Sequence, residues 1–294
     1  MTGNASPQPE PTPRSVGSAP APAPAEVPLI MARGLTVRYQ RARQRDELTA
    51  LSGVDLDIRR GEFVAIVGPS GCGKTTFLNV VAGLVKPASG WIEINGREVE
   101  GPGPDRAMVF QDYALMPWRT VESNVRFGLQ FQARKTGVSR DQVKQKIAEV
   151  IELVGLSGFE RSFPYELSGG MRQRVGIARA LVGDPQILLA DEPLGAVDAL
   201  TREAMQGELE RIIAATGNTV VLITHSIDEA ISLADRLVVV SHRPGRVLEI
   251  VDVNLPRPRS EYDVKDAPGY RELREHVWSL LRDEALGARP LVKP

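Results

Sequence analysis

The chain has 294 residues and a single cysteine, Cys72. No internal disulfide can form, and a reducing compartment is expected. Long apolar runs are missing too; none approaches the ~18–20 residues needed to cross a bilayer. Neither sign of charge dominates, with 36 lysines and arginines against 37 aspartates and glutamates. Such a balance gives no broad basic field, so nucleic acid is not an expected partner. The first residues have neither the basic start nor the apolar centre of a secretory leader. No internal repeat is visible. These absences describe a cytoplasmic protein, one that can still dock on a membrane-embedded partner.

Residues 1–28 are rich in proline, alanine and serine and read as a solvated, partly polyproline-like tail. A folded domain is expected over 29–255. Within it, "GLTVRYQ" alternates Leu35, Val37 and Tyr39, and "GVDLDI" alternates Val54, Leu56 and Ile58. Alternation predicts half-exposed antiparallel strands, whereas the unbroken "FVAIVG" predicts a buried central one. Asn95-Gly96 is a hairpin signal. Apolar residues recur at three-to-four spacing over Val121–Phe131 and Val143–Val154, which predicts helices, and a third follows Leu167. The apolar segments "ILLA", "TVVLIT", "RLVVVS" and "RVLEIV" come next. Helical stretches at Leu200–Ala215 and Ile227–Ala234 separate the first three. This alternation predicts a parallel sheet with helices on its faces. Residues 256–294 hold a proline-rich, charged segment and a short amphipathic helix, "YRELREHVWSLLRDEAL".

"GPSGCGKTT" runs from Gly68 to Thr76, after the apolar strand and into a helix opening at Lys74. Gly68, Gly71 and Gly73 let the backbone close around phosphate oxygens, with Pro69, Ser70 and Cys72 as spacers. Lys74 reaches the β- and γ-phosphates, Thr75 offers its hydroxyl to Mg²⁺, and Thr76 follows. This loop implies a nucleoside triphosphate but not its use; a GTPase or a kinase would carry it too. "ILLADEP" ends in two carboxylates. Asp191 is placed to hold Mg²⁺. Glu192 faces another way and can act as a general base toward water. His225 closes "VVLITH" on the strand edge where ligands bind in such sheets, and reads as a γ-phosphate contact. Gln111 closes "MVFQ" and says little alone. "LSGGMRQR", from Leu167 to Arg174, is a second glycine turn before a helix. Ser168 and the N–H groups of Gly169 and Gly170 favour an anion there.

In content and order, these segments resemble the ATP-binding cassette ATPases over about residues 29–251. The resemblance implies an α/β fold of the P-loop NTPase type. A RecA-like core would carry an antiparallel β layer and a helical subdomain inserted at about 112–167. It implies ATP and Mg²⁺ as cofactors, with Tyr39 stacked on adenine. Thr75, Gln111 and Asp191 would serve the metal, and Gln111 and His225 would join Glu192 in catalysis. Asp198, in "GAVDA", would belong to the nucleotide site. Two copies would pack head to tail, with Ser168, Gly169 and Gly170 of one lying over the ATP held by the other. That answers why one domain carries two anion cradles.

The commonest form of the second turn has glutamine where this chain has Met171. The methionine form, "ALMPWRTVESNV" and "DEPLGAVDA" are similar to the importer branch for nitrate, aliphatic sulfonates and taurine. The implied role is the motor subunit of a membrane importer, peripheral on the cytoplasmic face of the inner membrane. Its partners would be integral membrane permease subunits and, indirectly, an extracytoplasmic solute-binding protein. Tyr113, Leu115, Met116 and Trp118 surround Pro117, which excludes a regular helix, and either meet the permease or fill the subdomain core. The competing class is a soluble cassette ATPase acting on DNA or ribosomes. No sustained heptad run and no second motif set accompany it here.

Overall fold

A computed structural model describes residues 27–40, 47–130, 139–195 and 199–287. Residues 1–26 of the expected tail, and Asp198, lie outside them. Strands β1 (Ile30–Gln40), β2 (Glu47–Ile58), β4 (Ser89–Ile94) and β5 (Arg97–Glu98) form an antiparallel sheet in the order β2-β1-β4-β5. The second sheet contains β3 (Phe63–Val67), β6 (Arg106–Val109), β7 (Ile187–Asp191), β8 (Thr219–Thr224), β9 (Arg236–Val240) and β10 (Val247–Asp252). Its order is β10-β9-β3-β8-β7-β6, parallel except for β10 at one edge.

Both faces of the parallel sheet are covered, which is why its strands are apolar without alternation. Successive residues of β3 serve different cores. Ala65 and Val67 join Leu222 and Val239 on the side of the large helices. Val64 and Ile66 join Val221 and Val238 against the antiparallel layer. Register pins the arrangement, with Ala65 beside Leu222 and Leu189 beside Val221. In the antiparallel layer Val54, Leu56 and Ile58 point inward and the residues between them are less buried, as their alternation predicts.

The helices are α1 (Lys74–Val81), α2 (Val121–Phe127), α3 (Arg140–Leu153), α4 (Gly169–Leu181), α5 (Ala199–Thr216), α6 (Ile227–Leu233) and α7 (Tyr270–Gly287). Hydroxyl caps set the starts of α2, α3, α4 and α6. Thr120 caps α2, and Ser139 forms a reciprocal capping box with Gln142, so α3 opens before the apolar periodicity at Val143. α2 ends at Phe127, short of the expected Phe131, and Gly128 follows it with helical dihedrals. A Cβ on Gly128 would lie 2.2 Å from the Arg179 carbonyl oxygen of α4. The chain turns there to keep α2 and α4 in contact.

The proline-rich segment after β10 is not a loose spacer. Arg259 is 3% exposed, and its guanidinium donates to the carbonyls of Ile231, Ala234, Val253 and Leu255. Two of these belong to the last turn of α6 and the residue after it, where helical carbonyls lack partners and favour a cation. Glu210 of α5, also buried, accepts from Arg257 and from the N–H groups of Arg259 and Ser260. Arg259→Leu therefore strands several buried acceptors at once. It should lower the unfolding free energy by roughly 2–4 kcal/mol in urea denaturation. A change below about 0.5 kcal/mol would remove this latch from the account of stability.

Candidate functional site

β3 delivers the chain to the glycine loop, and the loop's shape depends on its glycines. Gly71 and Gly73 have φ of 75° and 108°. A Cβ on Gly73 would also lie 2.7 Å from the Ala50 carbonyl oxygen. Lys74 is buried, and its Nζ donates to the carbonyls of Gly68 at 2.8 Å and Pro69 at 2.9 Å. The charge is thus held at the loop itself. A cavity of about 290 Å³ opens beside it, lined by Tyr39, Ser70, Gly71, Thr75 and Glu192 among others. The Tyr39 hydroxyl donates to Thr76 Oγ1 at 3.4 Å, so the ring borders the loop. Cys72 lies buried beneath, where burial pushes its thiol up.

Strand order gathers the polar residues. β6, β7 and β8 are neighbours, and their ends carry Gln111, Asp191–Glu192 and His225. Asp191 Oδ1 accepts from Thr75 Oγ1 at 3.2 Å. Burial raises its carboxyl pKa; the Thr75 bond opposes this, Glu192 adds to it and Lys74 opposes it. Glu192 has φ 46°, the left-handed region that side chains rarely adopt. That turn takes its side chain off the strand's alternation. Its N–H is fixed on the Ile223 carbonyl at 2.9 Å, and its Oε2 sits 3.1 Å from His225 Nδ1. A Cβ on Gly195 would be 3.6 Å from both Gln111 Nε2 and Glu192 Oε2, so these side chains converge over that glycine.

Among the described residues no group of three or more His, Cys, Asp and Glu could hold a metal alone. The oxygens of Thr75 and Asp191 fit Mg²⁺ nonetheless. That ion takes one or two protein oxygens and completes its shell with phosphates and water.

The second glycine turn opens α4. Ser168 Oγ accepts from the Met171 N–H at 3.2 Å. Gly170 is pressed on α5, where a Cβ would meet Thr201 Cγ2 at 3.2 Å. Ser168, Gly169 and Gly170 do not line the P-loop cavity of their own chain. The apolar group around Pro117 divides. Leu115 packs on the core, whereas Trp118 is 74% exposed. Buried Asn124 accepts from the Met116 N–H and donates to the carbonyls of Met116, Arg119 and Thr120, fixing the loop beneath that indole. Arg243 was not legible as a site residue. It lines the cavity because the β9–β10 turn folds under the P-loop, a long-range contact without a local signal.

Known proteins resemble this chain in sequence and fold. A sequence model of the ABC transporter family matches residues 51–195. An uncharacterized ABC transporter ATP-binding protein of Methanocaldococcus jannaschii is 46% identical over 241 residues, 82% of this chain and 87% of its own length. A taurine import ATP-binding protein of Pelagibacter ubique is 46% identical over 79% of this chain and 87% of its length. A nitrate import ATP-binding protein of Synechococcus elongatus is 44% identical over 82% of this chain, which spans only 36% of that longer protein. The solved dimeric structure of an ATP-binding cassette in a post-hydrolysis state with ADP and Pi superposes with a TM-score of 0.67. It is 33% identical, over 76% of this chain and 98% of that one. Likeness of this depth, across about four-fifths of the chain, makes it a member of the ABC transporter ATP-binding proteins, and therefore an ATPase.

Proposed function

We propose that the chain is the ATP-driven motor subunit of a membrane importer for a small anion, such as nitrate, an aliphatic sulfonate or taurine. The observation that carries the motor is the 3.1 Å contact between Glu192 and His225, beside the P-loop cavity. The anion rests on the taurine and nitrate import relatives. Lys74 and the loop N–H groups bind and orient the phosphates, and Tyr39 borders the base. Thr75, Asp191 and Gln111 would hold Mg²⁺, which when bound would supply charge neutralisation for the phosphates. Glu192 takes a proton from the attacking water as the water oxygen bonds to the γ-phosphorus. The bond from that phosphorus to the bridging oxygen breaks, releasing ADP. His225 steadies Glu192 and reaches toward the γ-phosphate.

Two copies work head to tail, each supplying Ser168, Gly169 and Gly170 to its partner's ATP. The absence of that turn from its own chain's cavity lining supports this, as does the dimeric cassette structure. No described helix is long and apolar enough to cross a membrane. Separate integral membrane permease subunits accept the stroke, the exposed Trp118 loop facing them. The chain sits peripherally on the cytoplasmic side of the inner membrane, and a solute-binding protein acts through the permease.

Glu192→Gln keeps shape but cannot take the proton. It should bind ATP normally, lose hydrolysis by about 10²-fold or more, and elute as a dimer in ATP. Hydrolysis near the wild-type rate would remove Glu192 from the mechanism. A tethered heterodimer of Lys74→Ala with Ser168→Arg tests the composite site. Acting across chains, both lesions fall in one site and the other stays whole. One nucleotide per heterodimer should then be trapped by vanadate and Mg²⁺, against almost none in either homodimer. No trapping in a folded, ATP-binding heterodimer would confine the turn to its own chain. With the permease and binding protein in proteoliposomes, nitrate, taurine or an alkanesulfonate should stimulate ATP hydrolysis. Stimulation by sugars alone would overturn the anion reading.

A further inference from the structure

His225 sits on the short connection between Thr224, the last residue of β8, and Ile227, the first of α6. Its ring is exposed, yet Nδ1 stays 3.1 Å from Glu192 Oε2. An exposed side chain keeps such an aim only if the backbone on both sides of it is fixed. Here a closed set of hydrogen bonds fixes it. Thr224 Oγ1 donates to Glu229 Oε2 and accepts from the Ser226 N–H at 3.0 Å. Ser226 Oγ in turn accepts from the Glu229 N–H at 3.2 Å. The set spans His225 without touching its ring.

Glu229 is an odd choice for that place. It is 4% exposed, and its Oε1 has no hydrogen-bond partner. Burial pushes its carboxyl pKa up; the Thr224 bond, Arg202 and His225 oppose this, Glu192 adds to it, and the net direction is upward. An unmatched buried carboxyl oxygen is costly, and the other buried residues of α6, Ile227, Ala230, Ile231 and Leu233, are all apolar. The positive end of α6 favours an acid at 229, but it does not require that acid to be buried on Thr224. The second site of tension lies one residue earlier. Asp228 Oδ1 accepts from Tyr270 and from Arg274 of α7, each at 2.7 Å, so the first turn of α6 is held from the outside as well.

We propose that Glu229 is a positioning residue for ATP hydrolysis: through the Thr224 hydroxyl it holds the turn that keeps His225 on Glu192. The proposal rests on the role given to Glu192 and His225 under the proposed function. It explains a buried carboxyl that does not line the P-loop cavity.

The test uses the full chain and measures kcat, ATP affinity and melting temperature. Glu229→Ala and Thr224→Val should each lower kcat about 10-fold or more, as misaimed catalytic groups do. ATP affinity should stay within about 2-fold, the mark of a loss felt only in the transition state. Glu229→Gln and Thr224→Ser keep an acceptor and a hydroxyl, and should retain most of the activity. Glu229→Ala joined to Thr224→Val should be no slower than the slower single variant, since both break one link. On the residual rate of His225→Ala, Glu229→Ala should cost nothing more. If Glu229→Ala does not fold, the near-isosteric Thr224→Val carries the comparison. Full activity in Glu229→Ala and Thr224→Val beside a crippled His225→Ala would overturn this proposal alone. So would an equal loss from Glu229→Ala with or without His225. A fully active His225→Ala would overturn the underlying reading, and this proposal with it.

Discussion

The phosphate loop is shaped by backbone pressed against backbone. The Ala50 carbonyl of β2 occupies the space that a side chain on Gly73 would need. The same carbonyl accepts from the Gly245 N–H, and the Gly245 carbonyl accepts from Ser52. A Cβ on Gly245 would in turn strike the Cys72 carbonyl at 2.2 Å. The antiparallel layer, the P-loop and the β9–β10 turn therefore meet backbone to backbone, with the Leu51 side chain packed at the same junction. That contact explains why an antiparallel sheet accompanies a parallel one here. It is the wall on which the loop is formed, and it brings Tyr39 of β1 and Arg243 of the turn to the cavity rim.

Much of this was readable from residue order. The P-loop, the acidic strand end and the histidine strand end each combine an apolar run with a chemically specific residue. The apolar run predicts the strand, and the strand places the residue at its end. Parallel packing followed from continuous apolar runs with helical stretches between most of them. The sequence of strands across the sheet did not, because periodicity carries no information about which strand lies beside which. β8 stands between β3 and β7, though it follows both in the chain. Without that order, nothing says that His225 meets Glu192.

The misleading segments were those whose polarity has a tertiary cause. Residues 256–268 are proline-rich and charged, which gives no sign of what they touch. Arg257 and Arg259 reach the buried end of α6 and Glu210. Glu229 looks like an ordinary acid in the first turn of a helix, where an N-terminal dipole favours it. Its burial against Thr224 depends on how α6 folds back over the sheet. Gly128 gave no sign that α4 would approach it so closely. The group around Pro117 could be counted as core or surface, and it is both, because Asn124 pins the loop while Leu115 turns in and Trp118 turns out.

The order of the large sheet also has a consequence in time. β3 and β8 are flanked by parallel neighbours on both sides, and every residue of both is buried. Amide protons there can exchange with solvent only through the rarest, most global openings of the domain. The turns at their ends, which carry Lys74 and His225, need much smaller openings. The reactive tips can thus rearrange many times during the lifetime of strands that do not open. A cycle of closing and reopening can be repeated without loosening the frame that aims it.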